Sequence, residues 1–432
     1  MTRPVGPIAV AGRARPRSSF VWKLVDLELF KTIQRARVPT SSFVFDRLVI
    51  PPPHLVPMVW VKPDVAGARP SGRGGCAAAV VGDMFLFIGG ADRTPRAFDD
   101  VWILRLIASP DASSAPTARW VRKTTTFAGP GRLPQRSGAT ATAVGRKVYV
   151  FGGQDPTRGT CFNDVVVLDC DDWSWSRLPI AGASPPPRNA HVACSIANGR
   201  LIVVHGGSSP EDGPMGDVHV LDLMEGAERW TRPKVAGQAP EPREMHAACA
   251  IDPPRAPNPS LSSEQPSSSL LITGGRGRAG VLSDAVVLET SPEMRWARRG
   301  NLGRAACAHA AVPWRLRARE SDAADENDAA LHFGGFDGAA LRPPELFATD
   351  AETMATLAIG EVDGAPEPRF AHACVSAEGP WGAGGRRVRA MVVFGGVTPE
   401  ADLADVAVYF PDGDGRGSVE AGPGIVPAAD LD

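Results

Sequence analysis

The chain has 432 residues, 43% hydrophobic and 22% charged, with Lys plus Arg 46 against Asp plus Glu 48. That is enough apolar material for a large core, which excludes a wholly disordered chain, and the near-neutral balance argues against nucleic acid or a membrane surface as the main partner. No apolar run reaches the ~18 residues of a spanning helix, and 46 Gly with 41 Pro favour many short strands over long helices.

Residues 1–56 form an N-terminal arm. Its first 25 residues carry Arg3, Arg13, Arg15, Arg17 and Lys23, with no acid before Asp26. A basic arm and a transit peptide both fit this pattern. Trp22 to Ile33 is apolar enough to form a short element packed on the main domain. Met58 to Lys62, with Trp60 at its centre, reads as a tryptophan strand that has no sheet of its own.

From residue 70 onward the sequence repeats. A β-branched, aromatic run ends in Gly-Gly six times: Gly89-Gly90, Gly152-Gly153, Gly206-Gly207, Gly274-Gly275, Gly334-Gly335 and Gly395-Gly396. About ten residues after each pair a second apolar run opens, as in Asp100 to Leu104, Asp217 to Asp222 and Asp405 to Tyr409. Next comes a tryptophan, at Trp120, Trp175, Trp230 and Trp296, with Leu357 in the fifth place. A Pro-Arg-x-x-His element follows: Arg188 with His191, Arg243 with His246, Arg369 with His372. Looser forms hold Arg73, Arg136 and Arg304.

Each part has a physical reason. Runs of four to six such residues suit buried strands. Glycine lets a strand end at positive φ and lets another backbone come close. One tryptophan per unit fills the gap between neighbouring sheets. Each unit is then a four-stranded antiparallel sheet that buries both faces only between copies of itself.

Gly-Gly, the downstream Asp run and the spaced tryptophan resemble kelch repeats, in register over residues 57–410. The resemblance implies an all-β, six-bladed kelch β-propeller, with blades at about 70–123, 134–178, 187–233, 242–299, 303–359 and 367–410. Pro-Arg-x-x-His resembles the scaffold and adaptor kelch proteins, including Rab9-effector-like and host-cell-factor-like members. The sixth blade lacks an outer strand and residues 57–62 are a surplus one. The N-terminal strand is therefore expected to close the ring. Residues 411–432, rich in Gly, Pro and Asp, read as a disordered tail.

The turns between first and second strands carry inserts at Asp252 to Ser269, Pro313 to Ala329 and Ser376 to Arg389, which read as solvated loops on one face. On the other face, the loops between second and third strands hold arginines that the repeat does not require: Arg93, Arg96, Arg158, Arg276, Arg278 and Arg342. These are the candidate partner-binding residues. The recurring arginines read as structural.

Catalytic residues, metal ligands and cofactors are not expected. There are only two tyrosines, Tyr149 and Tyr409, both within strands, which does not fit the copper-radical oxidases built on kelch rings. The eight histidines show no metal-ligand spacing, and there is no phosphate-binding loop. Seven cysteines without a Cys-x-x-Cys pair fit a reducing compartment. The expected function is a monomeric, cytoplasmic protein–protein adaptor that takes a peptide or loop, by preference an acidic peptide or a free C-terminus. The alternatives are a ubiquitin-ligase substrate receptor and a small-molecule, sugar-type enzyme using the central channel. Organellar or nuclear placement stays open.

Overall fold

The computed structural model describes residues 59–410 apart from 95, 109–115, 129–132, 252–268, 292, 318–325, 361 and 383–384. The expectations for residues 1–56 and 411–432, and most of the blade-four insert, lie outside the described residues.

Six antiparallel sheets follow one another around a channel. Blade one is Ala77–Val81, Met84–Ile88, Val101–Ile107 and Thr117–Lys123, from the channel outward. Blades two to five repeat this order, ending in the outer strands Ser174–Arg177, Arg229–Thr231, Arg295–Asn301 and Thr356–Gly360. Blade six takes Ala373–Gly379, Val388–Phe394 and Val406–Phe410 from the C-terminal side and Val59–Val61 from the N-terminal side. The pairs are Val59↔Phe410, Trp60↔Tyr409 and Val61↔Val408. The seam is therefore closed by sheet hydrogen bonds, with Trp60 opposite Tyr409 and not beside Val406.

The tryptophans cement neighbouring blades. Each lies against the residue just before the Gly-Gly of the preceding blade: Trp120 on Phe394 at 5.0 Å, Trp230 on Phe151 at 5.1 Å, Trp296 on His205 at 5.3 Å and Trp60 on Phe333 at 5.1 Å.

In five of the six blades the recurring arginine is buried and its guanidinium is held by an aspartate of the same blade. Arg188 is 0% exposed and donates to both oxygens of Asp217 at 2.8 and 2.9 Å and to the Gly206 carbonyl at 2.9 Å. Arg73, Arg136, Arg243 and Arg369 do the same with Asp100, Asp164, Asp284 and Asp405. Burial alone would raise the Asp217 carboxyl, but hydrogen bonds from Arg188 and His219 outweigh it and hold the group well below the usual carboxylate range. Removing the fully buried guanidinium leaves the half-buried Asp217 carboxylate without its main partner and opens a cavity, so Arg188→Ala should cost about 3–5 kcal/mol in denaturant unfolding.

Arg304 is not the blade-five copy of this arginine. The backbone bond that Arg188 N–H makes to Phe162 is made in blade five by Ala306, to Leu282. Ala306, Cys307, Ala308 and His309 therefore fill the Arg-x-x-His frame, and Arg304 is exposed. Arg304→Ala should change stability by less than about 0.5 kcal/mol in the same unfolding measurement.

A further repeat accompanies the blade linkers: Val65-Ala-Gly67, Ile180-Ala-Gly182, Val235-Ala-Gly237 and Val362-Asp-Gly364. These segments run beside the outer strand of the next blade, in parallel pairing at Val65↔Ala118, Ala181↔Arg229 and Ala236↔Arg295. A Cβ on Gly237 would come within 2.5 Å of the Trp296 carbonyl oxygen, and one on Gly182 closer still to that of Trp230; both glycines have positive φ. The linkers thus cover sheet edges that would otherwise be open.

The inserts of blades five and six differ from solvated loops at their bases. Ala310–Arg317 pairs with Glu326–Phe333 as far as Arg317↔Glu326, and Ala373–Gly379 pairs with Val388–Phe394 as far as Gly379↔Val388. These hairpins project beyond the disc. Trp381, within the second insert, is buried against Phe85 at 5.4 Å.

Candidate functional site at the loop-side channel mouth

The inner strands begin at a ring of backbone hydrogen bonds around the channel. The residue two places after each frame position, which is arginine in five blades and Ala306 in blade five, donates to its counterpart in the preceding blade. The order is Gly138 to Gly75, Ala190 to Gly138, Met245 to Ala190, Ala308 to Met245, Ala371 to Ala308, and Gly75 to Ala371, at 2.7–2.9 Å. Closing this circle requires positive φ at every member, including the non-glycines Ala190, Met245, Ala308 and Ala371 at 51–55°. L-residues enter that region only at a cost.

Above the ring lie six isolated bridges between the residue after the frame position and the residue after Gly-Gly. They are Gly74↔Ala91, Ser137↔Gln154, Asn189↔Ser208, Glu244↔Arg276, Cys307↔Phe336 and Phe370↔Val397. The mouth is therefore divided, polar on blades two to four and apolar on blades five, six and one. Between the bridges and the ring is a cavity of about 160 Å³, lined mainly by apolar groups such as Pro156, Met245, Ala308, Ala371 and Val397, with Ser137 and Gln154 on its polar side. A cavity of about 150 Å³ with apolar walls holds a benzene-sized group. A second recess of about 240 Å³ opens on the polar side, lined by Gln154, Asn189, Ser208, Glu244 and Arg276 among others.

Glu244 organises the polar half. Its buried carboxylate accepts from Arg276 at 2.5 and 3.0 Å on one oxygen and from the Ser208 hydroxyl on the other. Arg276 is thereby aimed and held, with part of its side chain still accessible. Asn189 Nδ2 donates to the Ser208 carbonyl at 3.0 Å.

The cavity wall also holds His191, His246, His309 and His372. In all six pairs a Cβ on the first glycine would run into the carbonyl oxygen of the next blade's frame residue, and in four of them, Gly152, Gly206, Gly274 and Gly334, the histidine Cε1 crowds it as well, at 2.7–3.0 Å. Burial pushes the His191, His309 and His372 imidazoles down to about 3, and His246 is also driven low. They are neutral at physiological pH.

The six arginines singled out in the sequence do not converge. Of the six, only Arg276 lines the polar recess. Arg93 clasps the seam, donating to the Thr398 and Pro399 carbonyls at 3.0 and 3.3 Å and lying 3.4 Å from Asp402. Arg96 and Arg158 are exposed beside Asp92 and Asp155, at 3.4 and 3.5 Å, and Arg278 is exposed. Arg342 is turned inward. It is 8% exposed, stacks 4.3 Å over Phe347 and donates to the Arg304 carbonyl at 3.2 Å. Burial lowers the pKa of its guanidinium, and Arg304 adds to that. It brings a guanidinium to the one blade whose frame position is alanine.

Glu244, Asn189, Ser208 and Gln154 do not stand out in the sequence, although a signal for them exists. They occupy the two positions that vary within otherwise strict frames, after Arg and after Gly-Gly.

A family model described as the KLHDC2/KLHL20/DRC7 Kelch-repeats domain matches residues 53–256. Acyl-CoA-binding domain-containing protein 4 of Arabidopsis thaliana is 27% identical over 281 residues, 54% of this protein and 39% of that one. Dynein regulatory complex subunit 7 of Chlamydomonas reinhardtii is 37% identical over 113 residues, 26% of this protein and 10% of its own length. An F-box/kelch-repeat protein of Arabidopsis thaliana is 29% identical over 226 residues, 50% of this protein and 42% of its own length. Each match spans less than half of the relative's length.

Proposed function

We propose that this six-bladed kelch-repeat propeller is a protein-interaction adaptor that receives a partner's peptide or loop at the loop-side mouth of its channel. The observation that carries this reading is the divided mouth over an apolar cavity. An apolar side chain suits the cavity, and an adjacent carboxylate suits Arg276, which Glu244 and Ser208 hold in place. An acidic peptide or a free C-terminus meets both requirements. Arg278, Arg96 and Arg158 add attraction from the rim, where solvent weakens each contribution. The likeness of the Pro-Arg-x-x-His elements to Rab9-effector-like and host-cell-factor-like scaffolds supports an adaptor. The seven free cysteines support a cytoplasmic setting.

The test is affinity purification with mass spectrometry, comparing the intact protein with Arg276→Ala. A captured peptide should bind about 10–100-fold more weakly to the variant, the worth of a hydrogen bond to a charged group. Full retention of partners by an Arg276→Ala, Arg278→Ala double variant would reject the site. A second reading, reception of substrates for a ubiquitin ligase, is favoured by the F-box/kelch-repeat relative. A cullin among the captured proteins would support it.

A further inference from the structure

The apolar cavity and the polar recess of the loop-side mouth adjoin at blade two, where Gln154 and Pro156 line both. Gln154 is 7% exposed. Its main chain is committed on one side to the bridge: the Gln154 N–H donates to the Ser137 carbonyl at 2.8 Å, and its carbonyl accepts from the Ser137 N–H at 2.9 Å. On the other side Gln154 pairs with Cys161. The turn beyond is fixed by Asp155, whose carboxylate accepts from the Thr157 N–H at 2.9 Å.

The side chains of the other polar bridge residues are spoken for. Asn189 donates to the Ser208 carbonyl, and Ser208 and Arg276 both bond to Glu244. The Ser137 hydroxyl has no partner among the described residues but is wholly enclosed. The Gln154 side-chain amide also has no hydrogen-bond partner among the described residues, and it belongs to the wall of both hollows. An amide offers an acceptor oxygen and two donor hydrogens. Leaving such a group buried and unpaired is costly, so the place calls for a ligand group that both donates and accepts.

On the reading of this mouth as a peptide site, one chain puts an apolar side chain into the cavity and a carboxylate against Arg276. Its main chain then crosses the junction at Gln154. Neighbouring residues stand about 3.8 Å apart at Cα, a step that suits two hollows with a wall in common. We infer that Gln154 holds the partner's main chain there. Its carbonyl oxygen accepts the N–H of the peptide bond between an apolar residue and an adjacent acidic one, and its NH2 group donates to a main-chain carbonyl. The site thus reads a two-residue unit in fixed register. Gln154 is a positioning residue, and the choice of side chains is left to the cavity and Arg276.

The experiment titrates four probes into the full-length protein by NMR. They are acetyl-Phe-Asp-amide, acetyl-Asp-Phe-amide and, for each, the analogue in which an ester replaces the amide joining the two residues. The better-bound dipeptide should bind about three- to tenfold more tightly than its ester, the worth of one hydrogen bond. In Gln154→Leu, which stays close to the natural side-chain volume and should keep the thermal midpoint, amide and ester should bind equally. Lost packing alone would not produce that coupling. Arg276→Ala should weaken amide and ester alike. Equal binding of amide and ester to the natural protein, or a preference for the amide that survives Gln154→Leu, would overturn the inference. So would acetyl-Phe as the free acid binding as tightly as either dipeptide, because no peptide bond then lies between ring and carboxylate. Failure of the peptide-site reading itself looks different and takes this inference with it: neither dipeptide binds, or Arg276→Ala leaves both affinities unchanged.

Discussion

Deleting residues 1–65 should lower the thermal midpoint sharply or abolish the folded state, whereas deleting only residues 1–56 should not. The first deletion removes Val59–Val61, which leaves blade six with three strands and exposes the edge of Val406–Phe410. It also removes Trp60, which is 3% exposed and packs 5.1 Å from Phe333 of blade five and 5.5 Å from Tyr409. The Trp60 N–H is bonded to the Asp363 carbonyl at 3.1 Å, so the blade-five linker loses its partner as well. Trp60→Ala alone should cost about 3–5 kcal/mol, as for other buried tryptophans. Differential scanning calorimetry of the two deletions and the point variant checks all three. An unchanged midpoint for the 1–65 deletion would mean that the seam is not held by this strand.

Acid should unfold the propeller well above the pH at which surface carboxylates titrate. Besides His219, which is bonded to Asp217, six histidines are buried: His191, His205, His246, His309, His332 and His372. Burial lowers all six, and His191, His205, His309 and His372 are pushed down to about 3. His205 and His246 meet ring to ring at 3.1 Å and could hardly both be charged. An unfolded histidine titrates near 6.5. Between that value and the folded one, the unfolded state binds more protons, so stability rises with pH there and is lost as pH falls below about 6.5. At pH 5.5 each such histidine withdraws on the order of 1.4 kcal/mol. Several acting together rival the ~5–15 kcal/mol that a domain has in total. Thermal melts should therefore be flat above about pH 7.5 and fall steeply between about pH 6.5 and 5. Neither ring nitrogen of His372 has a hydrogen-bond partner among the described residues, so His372→Leu should blunt the fall without leaving a polar group stranded. A midpoint independent of pH down to about 5 would contradict this account.

Both predictions rest on the repeat, and the repeat is legible because its parts are local. Gly-Gly, the Asp-led run, the tryptophan and Arg-x-x-His recur at nearly constant phase, and strand periodicity is written in neighbouring residues. The surplus strand at Trp60 can be matched to blade six by counting alone. Legibility stops where a contact joins residues far apart in sequence. Arg304 reads as a frame arginine because it too follows a tryptophan strand, yet the backbone bonds align Ala306. Arg93 and Arg342 read as available for a partner because the repeat does not need them, yet one is bound by the blade-six loop and the other lies over Phe347.

An all-β ring of six four-stranded blades, fastened by its N-terminal strand, follows from the order of residues, because burial between like sheets demands the same residue types in every copy. Which side chains share the mouth does not follow from that order. Glu244, Ser208 and Arg276 belong to different strand ends and meet when blades three and four pack together. Their chemistry comes from the channel bringing separate loops within hydrogen-bond reach, and no spacing along the sequence encodes that distance.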